Sequence, residues 1–263
     1  MEQNPFGGVD ASGLEPAAHG GFTPSRLVGA GGACGFERAA HAAFRELVMH
    51  QAFPCVGARA AFNSESYALA TYGDLASDDA TAALARDLYE FTRSEIRNRS
   101  EYATFVAVFG GAVPQSEHEF EQLLWRQLQQ LNRVDAPHFE WDSSSKSNPA
   151  DPQFSFSFAG QALYVIGLHP NSSRIARQFR WPALIFNPHE QFERLRADGK
   201  WKRMQQTIRE RDVQLQGSVN PMLSDFGEAS EARQYSGRAV EADWQPPFAA
   251  QQPPAAGKCP FGH

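Results

Sequence analysis

Cysteine is scarce in this chain: only Cys34, Cys55 and Cys259 occur among 263 residues. The number is odd and no pair has Cys-x-x-Cys spacing. Both facts argue against a disulfide scaffold and fit a reducing, cytoplasmic compartment. Positive charge is also in deficit, with a net charge of −6 and a sequence pI of about 5.8. Such a chain has no general attraction for nucleic acid or anionic lipid, so neither is expected as a partner. No apolar run approaches the ~20 residues that span a bilayer. The N-terminus carries no charged leader followed by an apolar core, which predicts no signal peptide. Internal repeats are lacking, and so are the H-E-x-x-H, G-x-S-x-G, P-loop and dinucleotide fingerprints. The chain therefore does not read as a common hydrolase, NTPase or nicotinamide enzyme.

Aromatic residues are abundant, at 12% of the chain with 20 phenylalanines, and hydrophobic residues reach 42%. That supply supports a sizeable core without covalent staples. The two ends differ from the middle. Residues 1–33 are rich in Gly, Pro and Ala and read as a mobile, dispensable arm. Residues 245–263 form a Pro/Gln-rich tail that closes with Lys258-Cys259-Pro260-Phe261. Between them, 34–244, helical and strand patterns mix. Helices are predicted over 36–50, over 80–97 behind the capping pair Asp78-Asp79, and from the capping box Ser116–Glu119 to 131. Strands are predicted over 102–109 and 183–186, with a hairpin of 154–158 and 162–168 turning at 159–161. A polar loop fills 142–151, and two further helices, 188–197 and 200–213, are parted by Gly199. With no clean βαβ repeat, the pattern predicts one α+β domain: a mainly antiparallel sheet of about four or more strands packed with helices.

Three segments carry candidate chemistry. In Phe53-Pro54-Cys55-Val56-Gly57-Ala58-Arg59-Ala60 the cysteine precedes a short Ala-rich helix, whose N-terminal N–H groups and dipole favour a thiolate. Gly57 lets the backbone approach a flat ligand. The Cys-x-Gly-x-x-Ala pattern is similar to the cysteine-ligand loop of thiolate-haem monooxygenases; the alternative is a small buried hydrophobe. In Gly167-Leu168-His169-Pro170-Asn171-Ser172-Ser173-Arg174 a histidine ends a strand that Pro170 stops. Helix N–H groups with Arg174 and Arg177 can then hold an anion such as a haem propionate or a substrate carboxylate. The alternative is a structural corner with a hydrogen-bonded histidine. From Gln214 to Gly237 the chain is dense in polar residues. Glu228 and Glu231, at i and i+3 if helical, are candidates to grip a guanidinium, with Asn220 nearby; the alternative is a cap with a salt bridge to Arg233. His41, His50 and His189 read as structural or solvated.

Blocks spread over residues 36–261 resemble the YqcI/YcgG family. They include Phe53-Pro54-Cys55, Asp87-Leu88-Tyr89-Glu90-Phe91, Phe154-Ser155-Phe156-Ser157-Phe158, Gly167-Leu168-His169-Pro170, Phe186-Asn187-Pro188-His189-Glu190-Gln191-Phe192, Ser230-Glu231-Ala232-Arg233-Gln234-Tyr235-Ser236-Gly237 and Cys259-Pro260-Phe261. Characterised members of that family, including the haem-dependent N-hydroxylase of guanitoxin biosynthesis, act on guanidine compounds. The resemblance implies a haem b monooxygenase that uses O2 and an external electron donor to N-hydroxylate a guanidine or amine nitrogen of an arginine-like small molecule. It implies Cys55 as the iron ligand, with His169 as runner-up. Gly57, Arg174 and Arg177 would hold the cofactor, and His169, Ser172 and Ser173 would serve catalysis. Phe156, Phe158 and Tyr164 would wall the macrocycle, though core packing explains them equally well, and the Cys259-Pro260-Phe261 end would dock back on the domain. Two alternatives stand beside it: a non-catalytic haem or gas-sensing protein, and a haem-free small-molecule binding module. Oligomeric assembly is left open.

Overall fold

The computed structural model describes residues 4–6, 35–94 and 101–251. Helix α1 (Gly35–Met49) is amphipathic and buries Ala40, Phe44 and Val48 at helical spacing. Helix α2 (Val56–Asn63) follows, with Cys55 as its N-cap. Strand β1 (Tyr67–Tyr72) leads through α3 (Asp78–Arg93) into β2 (Thr104–Phe109), which lies parallel to β1. Helix α4 (Glu117–Asp135) precedes the hairpin of β3 (Phe156–Phe158) and β4 (Gln161–Leu168). A 3-10 turn (Ile175–Arg177) leads to β5 (Ala183–Pro188), then α5 (His189–Ala197), α6 (Trp201–Gln216) and the short α7 (Ala232–Tyr235).

The five strands run in the order β1-β2-β5-β4-β3, and every pairing except β1–β2 is antiparallel. The α+β expectation holds. The β1–α3–β2 crossover was not read from the sequence. Tyr67–Tyr72 is buried throughout and so lacks the polar alternation that marks a half-exposed strand.

Side-chain parity divides the sheet into two faces. Phe105, Ala107, Phe109, Val165, Leu184 and Phe186 pack with α3 and α4, while Leu69, Val106, Val108, Leu168 and Ile185 pack with α1 and α2. Phe156 and Phe158 belong to the α3–α4 core rather than to any cavity wall. The hairpin turn is tight because Ala159 (φ +53) and Gly160 (φ +71) both take left-handed backbone, the requirement of a type I′ connection.

Helix starts follow local chemistry closely. Ser116 Oγ accepts from Glu119 N at 3.1 Å, and the Glu119 carboxylate reaches back to Gln115 N at 2.7 Å. At α3 the cap is Ser77, not the Asp78-Asp79 pair. Its hydroxyl accepts from Ala80 N while both aspartates sit in the first turn against the helix dipole.

Two aromatic residues within the arm and tail segments are docked on the domain. Phe6, inside the expected arm, is buried and stacks on Phe158 with ring centroids 5.3 Å apart. Phe248, inside the expected tail, is buried against Trp125, Trp141, Phe154 and Phe156. The rest of the arm, Cys34 and the Cys259-Pro260-Phe261 end lie outside the described residues.

Gly167 shows how closely α4 lies on β4. A Cβ built there would stand 2.6 Å from Phe120 Cε1 and 2.8 Å from Leu124 Cδ1. Gly167→Ala should therefore destabilise the protein by about 1–3 kcal/mol, the usual range for an overpacked core. Urea denaturation checks this, and an unchanged midpoint would contradict the contact.

Candidate functional site

On the α1–α2 face of the sheet lies a cavity of about 290 Å³, near the lower limit of the roughly 300–1,000 Å³ of small-molecule clefts. β4 and β5 supply its floor through Tyr164, Ile166, Leu168, Ile185 and Asn187; α1 and α2 form one wall, and α5, α6 and the segment before α7 form the other. Much of the lining is apolar, with Phe44, Phe62, Phe192, Trp201, Met204 and Ile208 among the wall residues.

Cys55 is half-buried on this wall, and its Sγ accepts from Ala58 N at 3.4 Å. Burial pushes its thiol up, while the Ala58 and Gly57 N–H groups and the Arg177 charge pull it down; burial prevails. Gly57 also lines the cavity. The space above its Cα is taken by Tyr102, whose ring carbon would stand 3.3 Å from a Cβ. Among the described residues Cys55 is free of any disulfide.

The loop after β4 is split by the sheet. Tyr164, Ile166 and Leu168 face the cavity, and His169 carries the opposite parity. It is 0% exposed, lies outside the cavity and stacks on Phe120 of α4 with centroids 4.3 Å apart. Burial lowers its pKa to about 4, so its ring is neutral. The position expected for His169, a pocket residue and reserve iron ligand, is thus corrected: strand parity turns it toward α4. Ser172 and Ser173 are also off the cavity. Ser172 Oγ accepts from Arg174 N, and Ser173 Oγ pairs with Glu117 at 2.8 Å.

The two arginines of this loop do line the cavity. Arg174 is ion-paired with Asp212 of α6 at 2.5 Å and bonds Ser218. Arg177 donates instead to the carbonyls of Gly167, Gln234 and Tyr235. Among the described residues no carboxylate stands within salt-bridge distance of Arg177. Burial lowers its pKa, and its charge acts on Cys55 and Tyr164.

The third segment divides its two glutamates. Glu228 is exposed, its carboxylate capping Asp225 N at 3.2 Å, and it is absent from the cavity. The segment is not helical there, so no i, i+3 pair forms. Glu231 is 5% exposed and lines the cavity. Its Oε1 accepts from Ser155 Oγ at 2.7 Å and from Tyr235 OH at 2.5 Å. Burial raises its pKa to about 8 against these donors. Asn220 lines the cavity too, with its own N–H donating to Asp212 and its Oδ1 accepting from Met222 N.

His189 is the residue that sequence reasoning set aside. It opens α5 directly beneath Glu231, is 3% exposed and lines the cavity. Neither ring nitrogen makes a well-formed hydrogen bond, yet Glu193 Oε1 stands 3.4 Å from Nε2 and Glu231 Oε2 stands 3.8 Å from Nδ1. Gln191 Oε1, Trp201 Nε1, Arg209 Nε and Thr104 Oγ1 are further buried polar atoms on this lining with no partner among the described residues. Unpaired groups of this kind cost free energy; others lie elsewhere in the core, at Thr71, Tyr89, Trp125, Gln161 and His169, and those on this lining give the cavity polar atoms that a ligand can satisfy.

Glu231 gives the site a signed pH dependence. Its folded pKa lies above the ordinary 4.5, so its contribution to stability is complete below about 4.5 and is lost as pH rises through about 8. In Glu231→Gln that loss is absent. The stability of wild type relative to the variant should therefore fall by at least about 1.4 kcal/mol across this window, a tenfold change in protonation preference. Denaturation at several pH values checks it, and parallel pH profiles would refute it.

Among the described residues no helix is long and apolar enough to cross a membrane, and no three His, Cys, Asp or Glu side chains converge to hold a bare metal ion. No solved structure matches the chain. It is 26% identical over 218 residues to the uncharacterized protein YcgG of Bacillus subtilis (strain 168), covering 80% of this chain and 81% of that protein. It is 25% identical over 216 residues to the uncharacterized protein YqcI of the same organism, covering 80% of each. The profile of the YqcI/YcgG family matches residues 44–249, which takes in the sheet, Cys55, His189 and Glu231 together, and the chain belongs to that family.

Proposed function

We propose that the cavity binds haem b through Cys55 and that the protein is a haem-dependent monooxygenase acting on a nitrogen of a guanidine- or amine-bearing small molecule. The observation that carries this reading is the placement of Cys55: a thiol at a helix N-terminus, facing an apolar cavity across which a buried carboxyl and a histidine wait. The donor set fits the group, since a haem needs one protein ligand rather than a converging metal cluster. A bound haem would supply iron for O2 activation with electrons from an external donor, and a thiolate ligand favours O–O cleavage.

The chain's own residues support this in specific ways. The Gly57 and Ala58 N–H groups and the Arg177 charge all favour a thiolate at Cys55, working against the burial that raises its pKa. Arg177 already spends three contacts on backbone carbonyls, so it serves as a source of positive field more than as a propionate fork. Arg209, whose Nε has no partner, is the freer donor for a carboxylate. Glu231 offers Oε2 to a cationic nitrogen, because Ser155 and Tyr235 occupy Oε1. A tetrapyrrole fills or exceeds the cavity, so its entry requires one wall to yield. Helix α6 is that wall: Asp212 is its one buried residue, and it is flanked by Gly199 (φ +68) and Gly217 (φ +79) in left-handed backbone.

A haem-free binding module is the second reading, and the setting of Cys55 favours it. The raised thiol pKa and the Ala58 N–H contact also describe a plain N-cap cysteine.

Protein purified from haem-supplemented cells should show a Soret band at about one haem per chain. The ferrous carbonyl form should show the strong red shift of thiolate ligation, abolished in Cys55→Ala. Absence of a Soret band after repeated purification with haem available would leave the haem-free reading. An unshifted carbonyl band would remove Cys55 as ligand. Glu231→Gln should weaken arginine binding by about 1.5–3 kcal/mol, the range for a charged hydrogen bond, while Glu228→Gln leaves calorimetric affinity unchanged. Equal losses in both variants would contradict the assignment of Glu231.

A further inference from the structure

We propose that His189 and Glu193 form a proton door between solvent and the buried carboxyl of Glu231. Three groups stand in line. Glu231 Oε2 is on the cavity side, 3.8 Å from His189 Nδ1, and the opposite ring nitrogen, Nε2, is 3.4 Å from Glu193 Oε1. The exposures run the same way. The Glu231 and His189 side chains are 6% and 4% exposed, while that of Glu193 is 53% exposed and meets bulk water. The imidazole is kept in this gap by Phe226, whose ring centroid is 4.4 Å away.

The hydrogen bonding of Glu231 selects the atom that exchanges. Ser155 and Tyr235 both donate to Oε1. Tyr235 in turn accepts from Phe156 N at 3.0 Å, deep in the core, so this side offers no outlet to water. The proton of a neutral Glu231 therefore resides on Oε2, facing His189.

The step balances simply. Small side-chain shifts close the 3.8 Å and 3.4 Å gaps to hydrogen bonds; Oε2–H then gives its proton to Nδ1, Nε2–H gives its own to Glu193, and Glu193 releases it to water. A ring flip or the reverse sequence restores the imidazole, with no oxidant or co-reactant involved.

The surroundings favour transit over storage. Around His189 stand Glu193 and Arg196 on α5, Asp142 from the loop after α4, and Glu231 from the segment before α7. Burial holds the ring neutral and Arg196 adds to that, while Glu193 and Asp142 draw a proton toward it. Arg196 is itself paired with Glu193 and lies over Trp201 at 5.0 Å, which fixes the outer carboxylate at the mouth. A buried acid whose pKa lies near neutrality, as burial makes that of Glu231, both takes and gives protons under working conditions.

The use of this proton in oxygen chemistry, or its expulsion when a cation binds Glu231, rests on the haem reading; the door itself does not. The test accordingly uses the full chain without haem. Infrared spectra at neutral pH should contain a carboxylic-acid carbonyl band that is lost in Glu231→Gln. On rapid dilution into D2O, the deuterium shift of this band times the exchange. His189→Phe, which keeps a ring against Phe226, should slow the exchange by roughly a hundredfold, the low end of what a positioned acid–base group contributes. Glu193→Gln should slow it less, because water reaches that position. If His189→Phe fails to fold, Glu193→Gln decides alone, since its side chain is exposed. Equal exchange rates in wild type and the folded variants would overturn the proposal, as would the absence of a Glu231 band. Either failure leaves the Soret and carbonyl experiments untouched, and a missing Soret band leaves this one intact.

Discussion

The buried carboxyl of Glu231 is the joint on which the C-terminal third of the molecule turns. Ser155 beside β3 and Tyr235 of α7 both donate to one of its oxygens, and Tyr235 then accepts from the backbone of Phe156. A carboxyl taken from water costs several kcal/mol unless its oxygens are satisfied, so these donors are obligatory company rather than ornament. Their consequence is geometric. They draw the segment after α6 back onto β3 and β4, closing over the sheet a cavity that strands and the first two helices would leave open.

Arg177 is the complementary constraint. Its guanidinium ties the end of β4 to α7 through three carbonyls. Because carbonyls rather than carboxylates receive it, the positive charge is not cancelled. Asp212, a carboxylate whose charge acts on Arg177, is ion-paired with Arg174. The cavity lining thus carries a positive charge that acts on Cys55 and, elsewhere on the same lining, a carboxyl whose pKa is raised by burial. In a water-poor space such a charge acts with little screening.

His169 and His189 show how the sequence misleads. His169 follows a strand and precedes proline, a setting that looks functional, yet its parity places it with Gly167 against Phe120 and Leu124 of α4. That parity is written in the sequence: Tyr164, Ile166 and Leu168 share one face and Val165, Gly167 and His169 the other. What the sequence does not say is which face holds the cavity. His189 offered only the unremarkable setting of a first helical turn. It becomes notable once Glu231, far along the chain, is folded over it. Glu228 and Glu231 are a parallel case, equivalent in sequence and separated by burial.

The sequence by itself determined what local chemistry can determine. Helix α4 begins where Ser116 and Glu119 cap it, and α2 begins at Cys55. The hairpin turns where Ala159-Gly160 accepts left-handed backbone, and the α+β class and family membership follow from the order of such blocks. These are interactions between neighbours, whose energies depend on a few adjacent residues. Only the tertiary structure decided that β1 and β2 run parallel, that Phe6 and Phe248 dock, that His169 turns away, and that Cys55, His189 and Glu231 line one cavity. Each of those outcomes depends on which distant surfaces exclude water from one another. Burial belongs to the packed whole, and no window of neighbouring residues contains it.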